Sequence, residues 1–375
     1  MSVRNPVTSE QKLDNRGQTV LTAIIKEHLV TGEPVGSRTI AERCAATTGW
    51  SSATIRNTMA ELEEAELVEQ PHTSAGRVPT DKGYRYFVNH LIKSEARLSR
   101  QDSATIERFR RATPPGETDA SRLMEKVSHL LSELSVNVGI VIAPPLAGNM
   151  LQHIEFVRLS DDRALVVMVF ASNIIQHKII RLDEPLTQGE LERTARYLNT
   201  EFSGKSFAAI RVEILALLRE EKRHYDELIN HAMLLTERSL EGEAEESAAV
   251  FVDGASNILI KPDFTDVRRL SELLRTLEEK TRIVSILNEC LERDLSFLTS
   301  AQTRGGVRVR IGRENSTPVM QNCTLITTTY RVGSGGATGT LGVVSPMRIE
   351  YGRMMAVVNH VARIVELSLY EDFAA

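Results

Sequence analysis

Features that would indicate a secreted or a membrane protein are scarce in this sequence. Its 375 residues contain three cysteines, Cys44, Cys290 and Cys323. An odd number at such wide spacing argues against a disulfide framework and against a metal-binding cysteine pattern, so we expect reduced, mostly buried thiols. The longest apolar run covers only residues 164–171, far below the roughly 20 residues that cross a bilayer. Together with a polar N-terminus, this pattern predicts a cytoplasmic protein without a membrane segment.

Motifs of catalysis and of metal binding are also missing. The histidines include no H-E-x-x-H pattern and no pair spaced i, i+4, the arrangements typical of a zinc site on a helix. The glycine-rich stretch 333–342 fits neither phosphate-binding pattern, and we interpret it as a connection between two strands. No serine or cysteine lies in a nucleophile-elbow pattern. We therefore expect that the chain is not an enzyme and that it binds neither a metal nor a cofactor.

The charge of the chain is informative only locally. The net charge of −5 is mild and predicts no partner. Residues 36–60, however, carry a formal charge of +2, and residues 70–100 carry +4. Five glutamates, Glu61, Glu63, Glu64, Glu66 and Glu69, separate the two basic segments. Positive charge on two segments around an acidic connection is typical of a surface that binds phosphates.

The first hundred residues have the periodicity of a helix-turn-helix followed by a hairpin. Apolar spacing predicts a helix over 18–29, and Ser37 is predicted to cap a second helix that runs to about residue 47. Ser51 caps a third helix after a short glycine turn. Two short extended segments, 67–70 and 77–79, then surround a polar loop. This order of elements predicts a winged helix.

The third helix of this region has the side chains that a recognition helix needs. Ile55, Met59 and Leu62 share its inner face, whereas Asn57 lies on the outer face and Arg56 on its flank. Asn57 can pair with adenine, and Arg56 can reach guanine or a phosphate. By themselves these residues also fit a solvated helix face. The flanking positive charge and the loop that follows favour an approach to DNA.

The polar loop itself is predicted to be the wing. Its hydroxyls and backbone amides suit phosphates, and Arg77 supplies one long cation for a narrow minor groove. The glutamates need not oppose binding, because a helix that enters a groove by its N-terminus has left the groove before they are reached. The loop consists of His72, Thr73, Ser74, Ala75, Gly76 and Arg77.

The rest of the chain mixes strands and helices, which predicts an α+β protein of several domains. Residues 94–120 lose their apolar periodicity and contain a Pro-Pro-Gly sequence, so they predict a helical tail and a linker. Helices are predicted over 121–135, 187–241, 266–295 and 349–369. Strands are predicted over 139–143, 154–159, 164–170, 174–182, 250–260, 307–311, 323–332 and 339–344.

Four segments of the chain resemble the HrcA family of heat-inducible transcription repressors. They are "PVGSRTIAE", "SSATIRNTMAELE", "PHTSAGRVPTDKGYRYFV" and "GTLGVVSPMRIEYGRMMAVVNHV". The resemblance therefore covers nearly the whole chain. The resemblance implies a homodimer that represses heat-shock genes by binding an inverted-repeat operator in double-stranded DNA. It also implies that the activity depends on the GroEL chaperonin.

The resemblance further implies three domains and a set of DNA-facing residues. A winged-helix DNA-binding domain is expected over 1–105, a GAF-like domain over 106–186 and 261–375, and an inserted dimerisation domain over 187–260. The DNA-facing positions carried over by motif are Ser37, Arg38, Ser52, Thr54, Arg56 and Asn57 in the helices, and His72, Thr73, Ser74, Gly76 and Arg77 in the wing.

One residue departs from the family pattern, and one alternative function stays open. Glu66 occupies the position where the family usually has a glycine that closes the recognition helix, which leaves the end of that helix undetermined. The alternative is a regulator that senses a small molecule through the GAF-like domain and uses DNA binding as its output.

Overall fold

The structure is a computed structural model that describes residues 13–45, 48–72, 75–95, 98–113, 120–144, 150–170, 175–182, 184–206, 209–210, 213, 235, 249–264, 266–292, 306–332 and 337–370. Helices and sheets are mixed along these residues, which confirms the α+β class. The chain divides into two compact units. The first contains the residues up to Ala96 together with Ile311–Cys323 and Pro346–Arg353, and the second contains the remainder.

The first unit begins with three helices, and each begins close to its predicted start. Asp14 caps α1 by accepting a hydrogen bond of 2.7 Å from the amide of Gly17, and Ser51 caps α3 as the sequence predicted. A short antiparallel hairpin and a fourth helix follow. The elements are α1 (Asn15–Thr31), α2 (Ser37–Cys44), α3 (Ser52–Glu64), β1 (Val68–Glu69), β2 (Val78–Pro79) and α4 (Asp81–Glu95).

The core of this unit consists of the apolar stripes that the helical periodicity predicted. Helix α3 packs on both α1 and α2. Ile55 and Leu62 are almost completely buried, so α3 turns its other face outward. The remaining core residues are Val20, Leu21, Ile24, Ile25, Val35, Ile40, Cys44, Met59, Leu67, Val68, Tyr84 and Val88.

Two later segments of the chain complete this unit. The Tyr84 ring packs on the Tyr351 ring with a centroid distance of 5.8 Å. The hydroxyl of Tyr84 shares a hydrogen bond of 2.8 Å with His28 Nδ1, and that of Tyr351 donates to the carbonyl of Met347. A fragment that ends near residue 100 would therefore expose an aromatic surface that the whole chain buries.

The second unit contains a five-stranded sheet in the order β7-β3-β10-β9-β8. Strand β3 lies between β7 and β10 and is antiparallel to both. Every residue of β3 is buried, because α6 (Ala120–Ser135) also packs on it. The strands are β3 (Val138–Ile142), β7 (Val250–Asp253), β8 (Arg308–Ile311), β9 (Cys323–Val332) and β10 (Ala337–Pro346).

Three further strands form a sheet of their own. They are β4 (Leu151–Ser160), β5 (Arg163–Phe170) and β6 (Ile175–Arg181), and they are not hydrogen-bonded to the five-stranded sheet. One face of this small sheet packs against α7 (Gln188–Phe202). Period-2 patterning identified the strands but carries no information about which sheet they join.

The elements after the N-terminal unit differ from the predicted ones in three places. A capping box at Ser99 begins α5 (Arg100–Ala112) within the predicted helical tail. The helix predicted over 187–241 first ends at Phe202. The predicted strand over 250–260 stops at Asp253, because Gly254 adopts φ 78° and starts α8 (Ala255–Leu259). The predicted helix over 266–295 is interrupted by the extended residue Glu279. The remaining helices are α9 (Val267–Glu278), α10 (Lys280–Glu292) and α11 (Tyr351–Tyr370).

The described cysteines fit the expected reduced thiols. Cys44 and Cys323 are both buried, and neither forms a disulfide bond. Burial raises the pKa of the Cys323 thiol to about 12, so this side chain stays protonated and unreactive at neutral pH. The side chain of Cys290 lies outside the described part of the chain.

Candidate nucleic-acid interface

The N-termini of α2 and α3 meet at the surface of the first unit. The hydroxyl oxygens of Ser37 and Ser52, the first residues of the two helices, are 3.1 Å apart. Gly36 precedes α2 and provides no side-chain cap, so the first amides of α2 have no side-chain acceptor from that residue. Two helix N-termini side by side bring backbone amides and the positive ends of two helix dipoles together, which suits phosphate oxygens.

The outer face of α3 is small and polar at its N-terminal half. Ala53, Arg56, Asn57 and Ala60 are exposed, opposite the buried Ile55. Neither Arg56 nor Asn57 forms a side-chain hydrogen bond or ion pair with another residue in the described part of the chain. Their polar groups are therefore available to an outside partner. Short neighbours on either side allow the helix to come close to the floor of a groove.

Other predicted helix residues have local partners that keep them at the surface. Arg38 is 89% exposed and pairs with Glu42 at i, i+4 with a distance of 3.1 Å. An exposed pair of this kind contributes little to stability and exchanges readily. Thr54 is half-buried, and its hydroxyl lies 3.0 Å from that of the cap residue Ser51. Arg38 is therefore free to turn to a phosphate, whereas Thr54 helps to close the first turn of α3.

The predicted wing is a tight hairpin loop between β1 and β2. His72 is exposed, and its carbonyl accepts a hydrogen bond of 2.8 Å from the amide of Ala75. The side-chain amide of Gln70 donates to the carbonyl of Ala75 across the loop. Thr73 and Ser74, two of the predicted contacts, lie outside the described residues. The loop thus has a defined base and places His72 at the surface.

Gly76 has a packing role that the sequence did not reveal. A Cβ atom at this position would lie 2.4 Å from the carbonyl carbon and oxygen of Val35. The next residue, Arg77, exchanges two backbone hydrogen bonds of 2.9 Å with Val35. Only glycine permits this approach, so Gly76 keeps the base of the wing against the residue that leads into α2.

The side chain of Arg77 points back to α3. Its Nη2 lies 2.7 Å from Glu63 Oε2, and the side chain is only 18% exposed. The sequence predicted a cation that extends toward a minor groove, and it gave no sign of this carboxylate partner. Glu63 is in the last turn of α3 and Arg77 is in the loop, and neither belongs to an apolar stripe. A hydrophobic pattern therefore cannot connect them.

Other glutamates of the acidic stretch also have basic partners. Glu61 lies 3.8 Å from Arg16 of α1, and Glu66 pairs with Lys82 of α4. The hydrogen bond from Lys82 lowers the pKa of the Glu66 carboxyl. These pairs lie at the C-terminal end of α3 and link it to its neighbours. Three of the five glutamates, Glu61, Glu63 and Glu66, are therefore paired with basic side chains, whereas Glu64 and Glu69 are exposed.

Glu66 adopts the backbone conformation for which the family uses glycine. Its φ is +59°, in the left-handed region that disfavours side chains. The amide of Glu66 donates to the carbonyl of Glu63, and that of Leu67 donates to the carbonyl of Leu62. These two bonds form the Schellman motif that ends many helices. The end of α3 is thus at Glu64, with Ala65 as its cap.

Helix α4 is fixed by a set of contacts that the sequence does not reveal. Arg85 Nε donates to Glu314 Oε1 over 2.6 Å, and its Nη2 donates to Glu314 Oε2. The amide of Arg313 donates to Asp81 Oδ2 over 2.8 Å. More than 220 residues separate these partners along the chain, so no local pattern could have paired them. Since α4 follows the wing directly, these bonds also fix the C-terminal end of the hairpin.

The described residues show neither a metal site nor a membrane-spanning helix. The described histidine, cysteine and acidic side chains include no group of three or more that could hold a metal ion. Among the helices in the described ranges, none is long and apolar enough to span a bilayer.

Comparisons with known proteins agree on one family. Residues 121–355 match the family model described as HrcA protein C terminal domain. A heat-inducible transcription repressor HrcA from Geobacter sulfurreducens is 38% identical over 94% of this chain and 97% of its own length. The repressor of the same name from Pelotomaculum thermopropionicum is 36% identical over 94% of this chain and 95% of its own length. These relatives are transcription repressors and not enzymes, which confirms that expectation from the sequence.

One solved structure is similar over most of the chain. A crystal structure described as that of a hypothetical protein at 2.2 Å resolution has a TM-score of 0.61 and 22% sequence identity. It covers 96% of this chain and 99% of its own. At this identity the likeness supports the fold alone.

Proposed function

The chain belongs to the HrcA family of heat-inducible transcription repressors, and from this premise we propose that it represses chaperone genes by binding an inverted-repeat operator as a cytoplasmic homodimer. The observation that carries the proposal is the arrangement around Ser37 and Ser52. Two helix N-termini meet there beside an outer face of α3 on which Arg56 and Asn57 have no partner among the described residues. A winged helix that reads the major groove needs this combination of phosphate and base contacts.

The residues of the proposed interface have two tasks, which are to contact the DNA backbone and to read base edges. Ser37, Ser52 and Arg38 lie where they can position the backbone of the duplex, because they surround the two helix N-termini. Arg56 and Asn57 lie where they can read base edges. The wing contributes through its loop, of which His72 is exposed. Thr73 and Ser74 belong to the proposal on the sequence alone.

The binding test uses a duplex selected by the protein itself. A pool of randomised duplexes is enriched on the whole protein, and the recovered site is titrated beside a scrambled duplex of equal length. We expect a two-fold symmetric site, because a symmetric dimer binds matching half-sites. Arg56→Ala and Asn57→Ala should each weaken binding to this site by about 1–3 kcal/mol without changing the folded structure.

A matched control is available on the same unit. Lys26 is an exposed cation on α1, and Lys26→Ala should change binding to the selected site far less than Arg56→Ala. If Arg56→Ala and Asn57→Ala both bind the selected site as tightly as the parent protein, α3 is not the reading helix.

We also propose that the fraction of active repressor depends on the GroEL chaperonin. The proposal comes from the family resemblance and has a simple physical basis. Chains of several domains expose apolar surface while they fold, which makes aggregation a competing route. A loss of about 1.4 kcal/mol in stability changes the ratio of native to non-native chains about tenfold. Heat unfolds other proteins, and these would then occupy the chaperonin. The fraction of active repressor would fall as a result.

The chaperonin prediction is checked by refolding the denatured protein with and without chaperonin and ATP. The active fraction is measured by titration against the selected duplex, before and after mild heating. We expect a higher active fraction with the chaperonin, and the largest difference after heating. Equal active fractions in all conditions would count against chaperonin control and would favour the small-molecule sensor.

A further inference from the structure

We propose that Arg77 positions the wing through its ion pair with Glu63 and does not itself contact DNA. The proposal rests on the proposed function, since the wing matters only if the chain binds DNA. It changes the interpretation of the one cation that the wing loop contains. The side chain of Arg77 then supports the loop to which it belongs.

The geometry of Arg77 is the first observation. Its guanidinium lies 2.7 Å from the Glu63 carboxylate, and the two side chains are 18% and 37% exposed. A cation that inserts into a minor groove must extend away from the protein surface. Arg77 instead lies folded against the last turn of α3. To reach DNA it would have to leave a partly buried carboxylate without its partner, which is costly.

The backbone around Arg77 is the second observation. The amide and the carbonyl of Arg77 are both hydrogen-bonded to Val35, and Gly76 allows no side chain between the two segments. The backbone of Arg77 is therefore fixed to Val35, the residue that leads into α2. Its side chain binds Glu63 at the end of α3. One residue joins the base of the wing to both helices of the helix-turn-helix.

The exposed arginines of the same surface provide a contrast. Arg38 is 89% exposed and has only a flexible partner one turn away. Arg56 is exposed and has no partner among the described residues. Either side chain can turn to a phosphate without disturbing the fold. The difference in burial and pairing separates cations that can bind DNA from one that maintains the shape of the interface.

The two roles of Arg77 predict opposite effects for Glu63→Gln. If Arg77 contacts DNA, the loss of a nearby negative charge should strengthen binding. If Arg77 positions the wing, the same change should weaken binding to the selected duplex by about three- to tenfold, because the guanidinium loses its carboxylate. Gln has nearly the shape of Glu, so this variant is expected to fold even if Arg77→Ala does not.

Salt dependence gives a second readout that distinguishes the roles. The slope of log affinity against log salt concentration is negative, and each phosphate contact that is lost lowers its magnitude by about 0.9. We expect Arg77→Ala to weaken binding while the slope stays that of the parent protein. The exchanged variant Glu63→Arg/Arg77→Glu should recover part of the affinity that Arg77→Glu loses, because the pair is restored with opposite orientation.

The outcomes separate this inference from the proposed function. A parent protein that binds the selected and the scrambled duplex equally would overturn both. A parent protein that binds specifically, combined with a lower salt slope for Arg77→Ala or tighter binding by Glu63→Gln, would overturn only the positioning role. Weaker binding by Glu63→Gln at an unchanged slope supports it.

Discussion

At the scale of single residues, two side chains lie on backbone in the left-handed region that favours glycine. Glu66 has φ +59°, and its side chain pairs with Lys82. Val136, after α6, has φ +51° and is also not a glycine. A side chain in the left-handed region destabilises the backbone. At Glu66 an ion pair offsets this cost in part, whereas at Val136 a branched side chain makes it larger.

Glu66→Gly is expected to raise the melting temperature by about 2 °C at neutral pH, because glycine adopts this φ without strain. The pair with Lys82 lowers the pKa of Glu66 below its ordinary 4.5. Its stabilising contribution is therefore present above that pH and is lost as the pH falls through the lowered pKa. The advantage of the variant over the parent should consequently increase as the pH falls below 4.5.

Thermal unfolding followed by circular dichroism over a pH series measures this effect. Val136→Gly serves as the control, because it relieves the same backbone strain at a residue without a titrating side chain. Its gain should not change with pH in the same way. A Glu66→Gly variant that melts below the parent at every pH would mean that the left-handed conformation costs less than the ion pair contributes.

At the scale of elements, the contact between α6 and β3 depends on one glycine. A Cβ atom at Gly139 would lie 2.2 Å from the carbonyl oxygen of Ser128 and 2.8 Å from the amide of Ser132. Both neighbours are backbone atoms of α6, which cannot rotate away. The close approach lets α6 cover a strand that is buried along its whole length.

Gly139→Ala is expected to destabilise the second unit by at least about 1–3 kcal/mol, because the helix must move off the strand. Urea unfolding followed by fluorescence and circular dichroism gives the measurement. Gly189→Ala is the matched control: this glycine lies in the first turn of α7 with nothing within 4 Å of the added atom. It should raise stability by about 0.5–1 kcal/mol. Equal stability of the two variants would contradict the packing argument.

At the scale of the whole molecule, the small sheet has a face that could join two chains. Its inner face packs on α7. Val157, Leu165 and Ile179 lie opposite one another in register on the other face. Ile175 and Ile179 are 59% and 58% exposed. In α6, the second candidate for the dimer contact, the apolar residues already pack on β3, and the outer positions are mainly polar. We therefore propose that the inserted dimerisation domain includes β4–β6.

Ile179→Asp is expected to convert the proposed dimer into monomers, since a buried interface tolerates no unpaired charge. The fold should survive, because the side chain is exposed in the single chain. Sedimentation of the whole protein measures the state, and affinity for the two-fold site should fall with it, because tethering of the two half-site contacts is lost. Ile260→Asp, at an exposed residue outside this sheet, is the control. Monomers from Ile260→Asp and dimers from Ile179→Asp would move the interface elsewhere.

The sequence by itself determined the local elements of the first unit. Helical periodicity located the buried faces of α1, α2 and α3, and Ser51 marked the start of α3. These features depend on neighbours within a few turns, so a linear pattern contains them. The predicted DNA-facing residues Ser37 and Ser52 were brought together at 3.1 Å, as a helix-turn-helix requires. Their contact with DNA stays a prediction.

Only the tertiary structure decided which distant groups meet. The pairing of Arg77 with Glu63, the packing of Tyr351 on Tyr84 and the bond from Arg85 to Glu314 all join residues without a shared periodicity. The same holds for the separation of β4–β6 from the five-stranded sheet. Charge pairs and sheet partners are chosen by the global packing that minimises exposed apolar surface, and strands of equal pattern can join either sheet. The physical reason is that local patterns record which face is buried, and not what buries it.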